Sequence, residues 1–243
     1  MGERPVLLFY CQHAMGMGHL VRSLALADAL ADRFRVVLLN GGLMPSGIRL
    51  PEQLEVINLP PLGLDNSRLV SRDGGDLEQA KRDRQELILK SFQSLRPEVL
   101  LIELFPFGRK KFEFELLPLL EESRKQIARR PLVACSLRDI LVSSRRNQEG
   151  YEERAVAIAN RYFDAILVHS DPAFARLEES LRSSARLFPA VHYSGFVMGQ
   201  RPQYKQTKSG QRGPILVSAG GGLYGAPLFR TAIAAHALLT KTE

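Results

Sequence analysis

Apolar residues fall in short unbroken runs separated by longer stretches with helical periodicity. The runs are Val6–Cys11, Val36–Asn40, Leu54–Ile57, Val99–Glu103, Leu132–Leu137, Ala165–His169 and about 188–193. Runs of strand length without apolar/polar alternation are expected of strands covered on both faces. Between them the spacing predicts helices over about 19–32, 76–95, 110–129, 149–163 and 172–182. Some ends are readable. Asp171-Pro172 reads as an N-cap followed by proline at the first helical position, and Arg96-Pro97 stops a helix before its next strand. Strands alternating with helices predict an α/β chain, a Rossmann-like, mostly parallel sheet with helices on both faces.

The pattern breaks at 197–213, a stretch rich in Gln, Lys, Gly, Ser and Pro that reads as a linker. A second start follows: strand Pro214–Ser218, the glycine-rich turn Ala219–Gly225, and helix 226–239. That helix is apolar almost all round (Leu228, Phe229, Ile233, Ala235, Ala237, Leu238, Leu239), as suits burial in a larger domain. One βα unit cannot bury its own two faces. The expected organisation is therefore a domain over 1–196, a linker over 197–213, and over 214–243 the first βα unit of a truncated second domain.

Composition narrows the class. With 243 residues, 45% hydrophobic and 24% charged, the chain is ordinary for a globular protein. Runs such as Val99–Ile102 and Ile166–Val168 fall far below the roughly 18 apolar residues of a membrane span. Glu3 and Arg4 ahead of a strand make no signal-peptide pattern. Cys11 and Cys135 each close an apolar run and read as buried thiols in a reducing cytoplasm, neither a metal ligand nor a nucleophile. The net charge of +7 is uneven: residues 197–243 hold six basic residues and one acidic residue, leaving only +2 on the rest. No aromatic-interleaved basic stripe accompanies it, so a nucleic-acid partner is not expected.

The residues with candidate chemistry stand at strand ends. Cys11-Gln12-His13-Ala14-Met15-Gly16-Met17-Gly18-His19 puts glycines at a strand-to-helix switch, where backbone amides approach a ligand closely and the helix terminus favours negative charge. Gly16-x-Gly18 lacks the third glycine of a dinucleotide fingerprint, Val21 standing there instead. The second strand runs into Asn40-Gly41-Gly42 and carries no ribose-binding acid, which disfavours a nicotinamide or flavin dehydrogenase. His19 either caps the first helical turn or works at the site. Glu103, Arg138-Asp139 and His169-Ser170-Asp171 repeat the arrangement at the ends of later strands, which line the ligand crevice of open α/β sheets. Asp171 reads equally as a helix cap, and Asp139 as a partner of Arg138. Phe105-Pro106-Phe107-Gly108-Arg109-Lys110-Lys111-Phe112 mixes aromatic and basic residues, as would suit a membrane surface or a lipid-linked acceptor, or a plain loop entering an amphipathic helix.

Gly16-x-Gly18-His19-x-x-Arg22-x-x-x-Leu26-Ala27, with a linker and a second glycine-rich start at Ser218-Ala219-Gly220-Gly221-Gly222, resembles the GT-B glycosyltransferases. The likeness is to the branch holding the MurG-like N-acetylglucosaminyltransferases and predicted bacterial relatives, and Glu103–Arg109 resembles that predicted subgroup. The resemblance implies transfer of a sugar from a nucleotide-sugar donor, UDP-linked, to an acceptor, lipid-linked or carbohydrate, with activity expected to be impaired in the truncated 243-residue chain. It implies inversion at the anomeric carbon, no metal and no cofactor. In such a displacement a base takes the acceptor proton while helix dipoles and glycine amides meet the departing diphosphate. His19 matches the glycine-histidine pair and is the candidate base, since imidazole titrates where a base is effective. Glu103 is the second candidate. Gly16, Gly18, Arg22, Phe105, Arg109, Arg138, Asp139 and His169 are implied acceptor contacts, and Ser218, Gly220, Gly221 and Gly222 implied donor-phosphate contacts. A cytoplasmic protein peripheral to the inner face of a membrane is expected. A sugar-nucleotide epimerase of similar architecture, or a non-catalytic remnant that only binds ligand, are the alternative readings.

Overall fold

The structure is a computed structural model that describes residues 4–13, 17–66, 68–126, 129–138, 141, 145–181, 183, 186–199, 215–219 and 225–239. Its frame is a seven-stranded parallel sheet in the order β3-β2-β1-β6-β7-β8-β9. The strands are β1 (Val6–Cys11), β2 (Arg35–Asn40), β3 (Glu55–Asn58), β6 (Val99–Glu103), β7 (Leu132–Arg138), β8 (Ala165–His169) and β9 (Ala190–Tyr193). The predicted α/β class is the observed one. The chain lays strands outward on one side of β1, then returns to lay β6 on its other side. The order therefore reverses between β1 and β6, and the crevice at a reversal point is where open α/β sheets bind ligands.

Both faces of the sheet are covered, which explains the unbroken apolar runs. Leu7, Phe9 and Cys11 of β1 pack with Leu20, Leu24 and Ala27 of α1 (Gly18–Leu30) on one face. Leu8 and Tyr10 face the larger core, with Ile88 and Phe92 of α2 (Leu77–Leu95) and Leu116, Leu119 and Leu120 of α3 (Glu113–Lys125). Each fully buried apolar side chain contributes roughly 1.5–3 kcal/mol. Helix α2 is capped at both ends: Asp76 accepts a hydrogen bond from the Gln79 amide at 2.7 Å, and Arg96 turns left-handed (φ 45°) before Pro97. Helix α4 (Gln148–Tyr162) joins β7 to β8.

Four elements depart from the sequence reading. A two-stranded antiparallel hairpin, β4 (Leu62–Asp65) and β5 (Arg68–Ser71), stands outside the main sheet and was not anticipated. The helix expected over 110–129 is split into a short 3-10 turn at Lys110–Phe112 and α3. The helix expected over 172–182 is reduced to α5 (Leu177–Ser180): Asp171 accepts from the Ala173 amide at 2.8 Å and closes a tight turn, and Phe174 faces outward, 72% exposed. The strand expected at 214–218 is absent over the described residues 215–219, where Ile215 and Leu216 are almost fully exposed. Helix α6 (Ala226–Leu239) forms, with Leu228, Ile233 and Leu238 exposed.

Candidate active site

The carboxyl ends of β1 and β6 meet at the point of strand-order reversal, and four of the sequence-predicted residues converge there. Tyr10 is in register with Ile102, so Glu103, the last residue of β6, stands level with the end of β1. His19 lies in the first turn of α1, and Arg22 follows three residues later on the same side of the helix. The chain after Glu103 turns sharply back, with Leu104 and Arg109 both left-handed (φ 65° and 59°) and the Gly108 amide bonded to the Leu104 carbonyl at 2.8 Å. That reversal brings Arg109 onto the carboxylate six positions earlier.

Glu103 is completely buried. Its Oε1 lies 2.5 Å from His19 Nδ1 and accepts from Arg22 Nη2 at 2.9 Å. Its Oε2 accepts from Arg109 Nη2 at 3.0 Å and Nε at 3.3 Å. A buried carboxylate oxygen so close to a ring nitrogen requires a proton between them, so Nδ1 carries the hydrogen and donates. Arg22 Nη2 also lies 3.3 Å from Nδ1, but its hydrogen-bond partner is the carboxylate. Nε2 of His19 is then the basic nitrogen, and among the described residues it has no hydrogen-bond partner. The His19 side chain is 26% exposed.

Burial acts to raise the Glu103 pKa, but the hydrogen bond from His19 and the charges of Arg109 and Arg22 outweigh it. The carboxyl sits below the usual glutamate range and is ionised at neutral pH. Glu103 has no exposed surface, whereas the His19 side chain bonded to it is 26% exposed. What Glu103 can do is fix the tautomer and orientation of His19 and stabilise the imidazolium that forms when Nε2 takes a proton.

The other expected contacts divide. Gly18 opens α1, and a Cβ built there would meet nothing within 4 Å. Arg138 ends β7 with its side chain exposed, and Ser218 is exposed beyond the sheet. Phe105 is not a surface contact but a core residue, fully buried with Phe107 and Phe112 near by in the same cluster. This removes the aromatic half of the expected membrane-facing segment. His169 is 4% exposed and bonded at both nitrogens, to Ser136 Oγ and Ser194 Oγ at 2.8 Å each, so it ties β7, β8 and the chain after β9 together. Gly16, Asp139, Gly220, Gly221 and Gly222 lie outside the described residues.

Two further groups were not anticipated. His13, just past β1, is buried and bonded through Nε2 to Asn40 Oδ1 at 3.1 Å, while Asn40 Nδ2 donates to the Gly42 carbonyl and to Asn58 Oδ1, both at 2.9 Å. Gly42 permits this packing, since a Cβ there would lie 2.4 Å from the His13 carbonyl oxygen. Arg84 of α2, completely buried, forms a bidentate pair with Glu115 (2.8 and 2.6 Å) and donates to Gln12 Oε1 and the carbonyls of Gly41 and Pro60. It thereby ties the loops after β1, β2 and β3 to the helical layer. A signal existed: Ala80, Arg84, Ile88 and Phe92 repeat at four-residue spacing, which puts a charge on the core stripe of a helix. Among the described residues no group of three His, Cys, Asp or Glu is placed to hold a metal ion, and no helix is long and apolar enough to cross a membrane.

No protein-family model matches the chain, and comparison with curated proteins finds no relative. Solved structures do match. UGT2 of Phytolacca americana, complexed with UDP-2fluoro-glucose and pterostilbene, superposes with a TM-score of 0.52 at 15% identity, over 83% of this chain and 56% of that one. A UDP-glucosyltransferase of Polygonum tinctorium capable of glucosylating indoxyl gives 0.51 at 14% identity, over 88% and 56%. The likeness is one of fold. The chain shares the α/β Rossmann-like architecture of these glycosyltransferases and spans a little over half of their length.

Proposed function

We propose that this chain forms the acceptor side of a glycosyltransferase that moves a sugar from a nucleotide-sugar donor to a hydroxyl acceptor, with His19 as the base. The observation that carries the reading is the 2.5 Å contact between His19 Nδ1 and the buried, ionised Glu103 at the strand-order reversal. The acceptor O–H gives its proton to His19 Nε2, and the oxygen forms a bond to the anomeric carbon as the bond from that carbon to the diphosphate breaks. The diphosphate departs with the bonding pair, and the configuration inverts. Glu103 holds the imidazolium through Nδ1–H; Arg22 and Arg109 keep Glu103 charged. The fold shared with UDP-sugar enzymes supports a UDP-linked donor, and the Gly16–Ala27 motif supports the MurG-like branch. Ser218 and the turn at Gly220–Gly222 are the donor-phosphate candidates, with backbone amides in place of a metal.

The test is acceptor-dependent release of UDP from UDP-glucose and UDP-N-acetylglucosamine by the wild-type protein and His19→Ala. General-base catalysis predicts a loss of about 10²–10⁴ in kcat with thermal stability retained. UDP release that ignores the acceptor, or a variant within a few-fold of wild type, sinks the reading.

A further inference from the structure

The buried charge on α2 has no part in the chemistry at His19, yet its bonds run to the carboxyl edge of the sheet. Arg84 Nη1 donates to the carbonyls of Gly41 at 2.9 Å and Pro60 at 2.8 Å, and Nη2 donates to Gln12 Oε1 at 2.8 Å. Gln12 is itself completely buried, and its Nε2 donates to the Leu62 carbonyl at 3.0 Å and the His13 carbonyl at 3.2 Å. One guanidinium and one amide therefore join the chain just past β1, β2 and β3. Backbone bonds run the same way, from the Gly41 amide to the Cys11 carbonyl, from Leu59 to Asn40 and from Leu62 to Gly41. The Asn40-Gly41-Gly42 turn, which carries no ribose-binding acid, has its use here. A Cβ at Gly41 would lie 2.0 Å from Gln12 Oε1 and 2.9 Å from Arg84 Nη2, so the missing side chain lets this clamp close on the end of β2.

A buried ion pair is weak support for a fold, since apolar residues of similar volume often do as well. What Arg84 and Glu115 add is a fixed point for Gln12. The stretch 41–54 between β2 and β3 contains no helix or strand, and Leu43 is 55% exposed. Such a loop ordinarily moves. Here its root at Gly41 is pinned by Arg84, and the carbonyls of Pro60 and Leu62 are pinned by Arg84 and Gln12. Open α/β sheets bind ligands just outside these strand ends. Burial lowers the pKa of His13 against its hydrogen bond to Asn40, and the charges of Arg109, His19 and Glu103 reach it as well, so the clamped segment is a neighbour of the proposed base. The hydrogen bonds of the His19–Glu103 pair themselves run to Arg22 and Arg109, not to Gln12 or Arg84.

We infer that Gln12 is a positioning residue: clamped by Arg84, it fixes the chain ends of β1, β2 and β3 as the wall against which the acceptor lies, while the His19–Glu103 pair moves the proton. This rests on the reading of the crevice as an acceptor site. Loosening the wall weakens the hold on the acceptor and leaves the proton-transfer geometry intact, so the effect falls on acceptor KM and not on kcat.

Gln12→Met keeps the length of the side chain, removes its amide and leaves the Arg84–Glu115 pair whole. Ile88→Val, one turn along α2 in the same core, is the control for a plain loss of packing. Transfer from UDP-glucose and UDP-N-acetylglucosamine to octyl glucoside and to umbelliferone, a sugar hydroxyl and a phenol, gives KM and kcat, and amide hydrogen exchange reads the loops directly. Gln12→Met should raise acceptor KM about tenfold or more with kcat within about twofold of wild type. It should also speed exchange at Gly41, Leu59 and Leu62 by about tenfold or more beyond any change in β6 and β7. Ile88→Val should leave KM unchanged and alter exchange evenly. Unchanged exchange at those amides, exchange that rises equally throughout, or a loss that falls on kcat overturns the inference. Gly41→Ala, which pushes the Gln12 amide off Arg84 without altering either residue, should reproduce the Gln12→Met result. If neither variant folds, the clamp belongs to the folding core and the inference is overturned as well. Local loosening in a protein that transfers sugar to neither acceptor refutes the transferase reading and leaves the clamp; transfer with acceptor KM unchanged in Gln12→Met refutes the positioning role and leaves the transferase.

Discussion

His169 supplies a sharp test of the buried polar structure behind the site. Ser194 Oγ donates to the Gly195 carbonyl at 3.1 Å, so it accepts from His169 Nδ1–H, and Nε2 in turn accepts the Ser136 hydroxyl hydrogen. In this arrangement the ring is neutral, with one donor and one acceptor nitrogen both bonded. Burial, reinforced by the charge of Arg22 and opposed in part by Glu103, pushes its pKa from 6.5 down to about 4. Between those two pH values the unfolded chain binds a proton that the folded chain refuses, so stability is complete above 6.5 and falls as the pH drops toward 4. A shift of that size corresponds to roughly 3 kcal/mol in all, of which about 2 kcal/mol is lost between pH 7 and pH 5. Urea unfolding at pH 7 and pH 5, on wild type and His169→Asn, reads the difference. Wild type should lose about 2 kcal/mol more than the variant over that interval, whatever the variant's absolute stability. Equal losses would refute the neutral, saturated imidazole and return His169 to the solvent-facing crevice.

Other outcomes follow from the same contacts. Glu103→Gln keeps the size of the side chain but removes the charge that holds Nδ1–H, and should lower kcat for sugar transfer by about 10²-fold or more, measured beside a melting curve showing the protein folded. Glu115→Gln leaves the wholly buried Arg84 guanidinium without its counter-charge and should cost about 3–5 kcal/mol in denaturant unfolding; a loss below 1 kcal/mol would argue against a dry site for this pair. Cys11 and Cys135 are fully buried, the Cys11 thiol pushed up to about 12 chiefly by its surroundings' exclusion of water. Neither should react with a thiol reagent at pH 8 until the protein is unfolded, as a colorimetric thiol titration with and without denaturant would show.

The sheet was largely legible because its strands are covered on both faces. Val6–Cys11, Val99–Glu103 and Ala165–His169 have the bounds that their apolar runs indicate. The β4–β5 hairpin was not, since four-residue strands around Asn66 carry too few positions for a pattern and form where Leu62 is buried against the larger core. The helix over 172–182 failed for the opposite reason: the capping signal at Asp171 was real, but it closes a turn, and no continuous apolar stripe follows to carry a helix forward. In the site, His19 was visible just past the glycine turn that follows the first strand, and Glu103 as a polar residue ending an apolar strand. Their meeting across 84 positions was not, because it depends on β1 and β6 being neighbours in the sheet. Nor did the sequence reveal that Glu103 would be buried beneath two arginines, one delivered by a backbone reversal with two left-handed residues.

Glu103 ends β6, one of the two innermost strands of the sheet, with three more strands on one side of β6 and two on the other side of β1, and His19 meets it from the first turn of α1. Amides of β1 and β6 should be the slowest among the described residues to exchange with deuterium, while exposed loop segments such as Gly47–Leu50, after β2, and Phe174, after β8, exchange early. The His19–Glu103 pair and the exposed loops therefore sit in parts of very different expected rigidity. Substitutions in those loops should leave the His19–Glu103 contact in place.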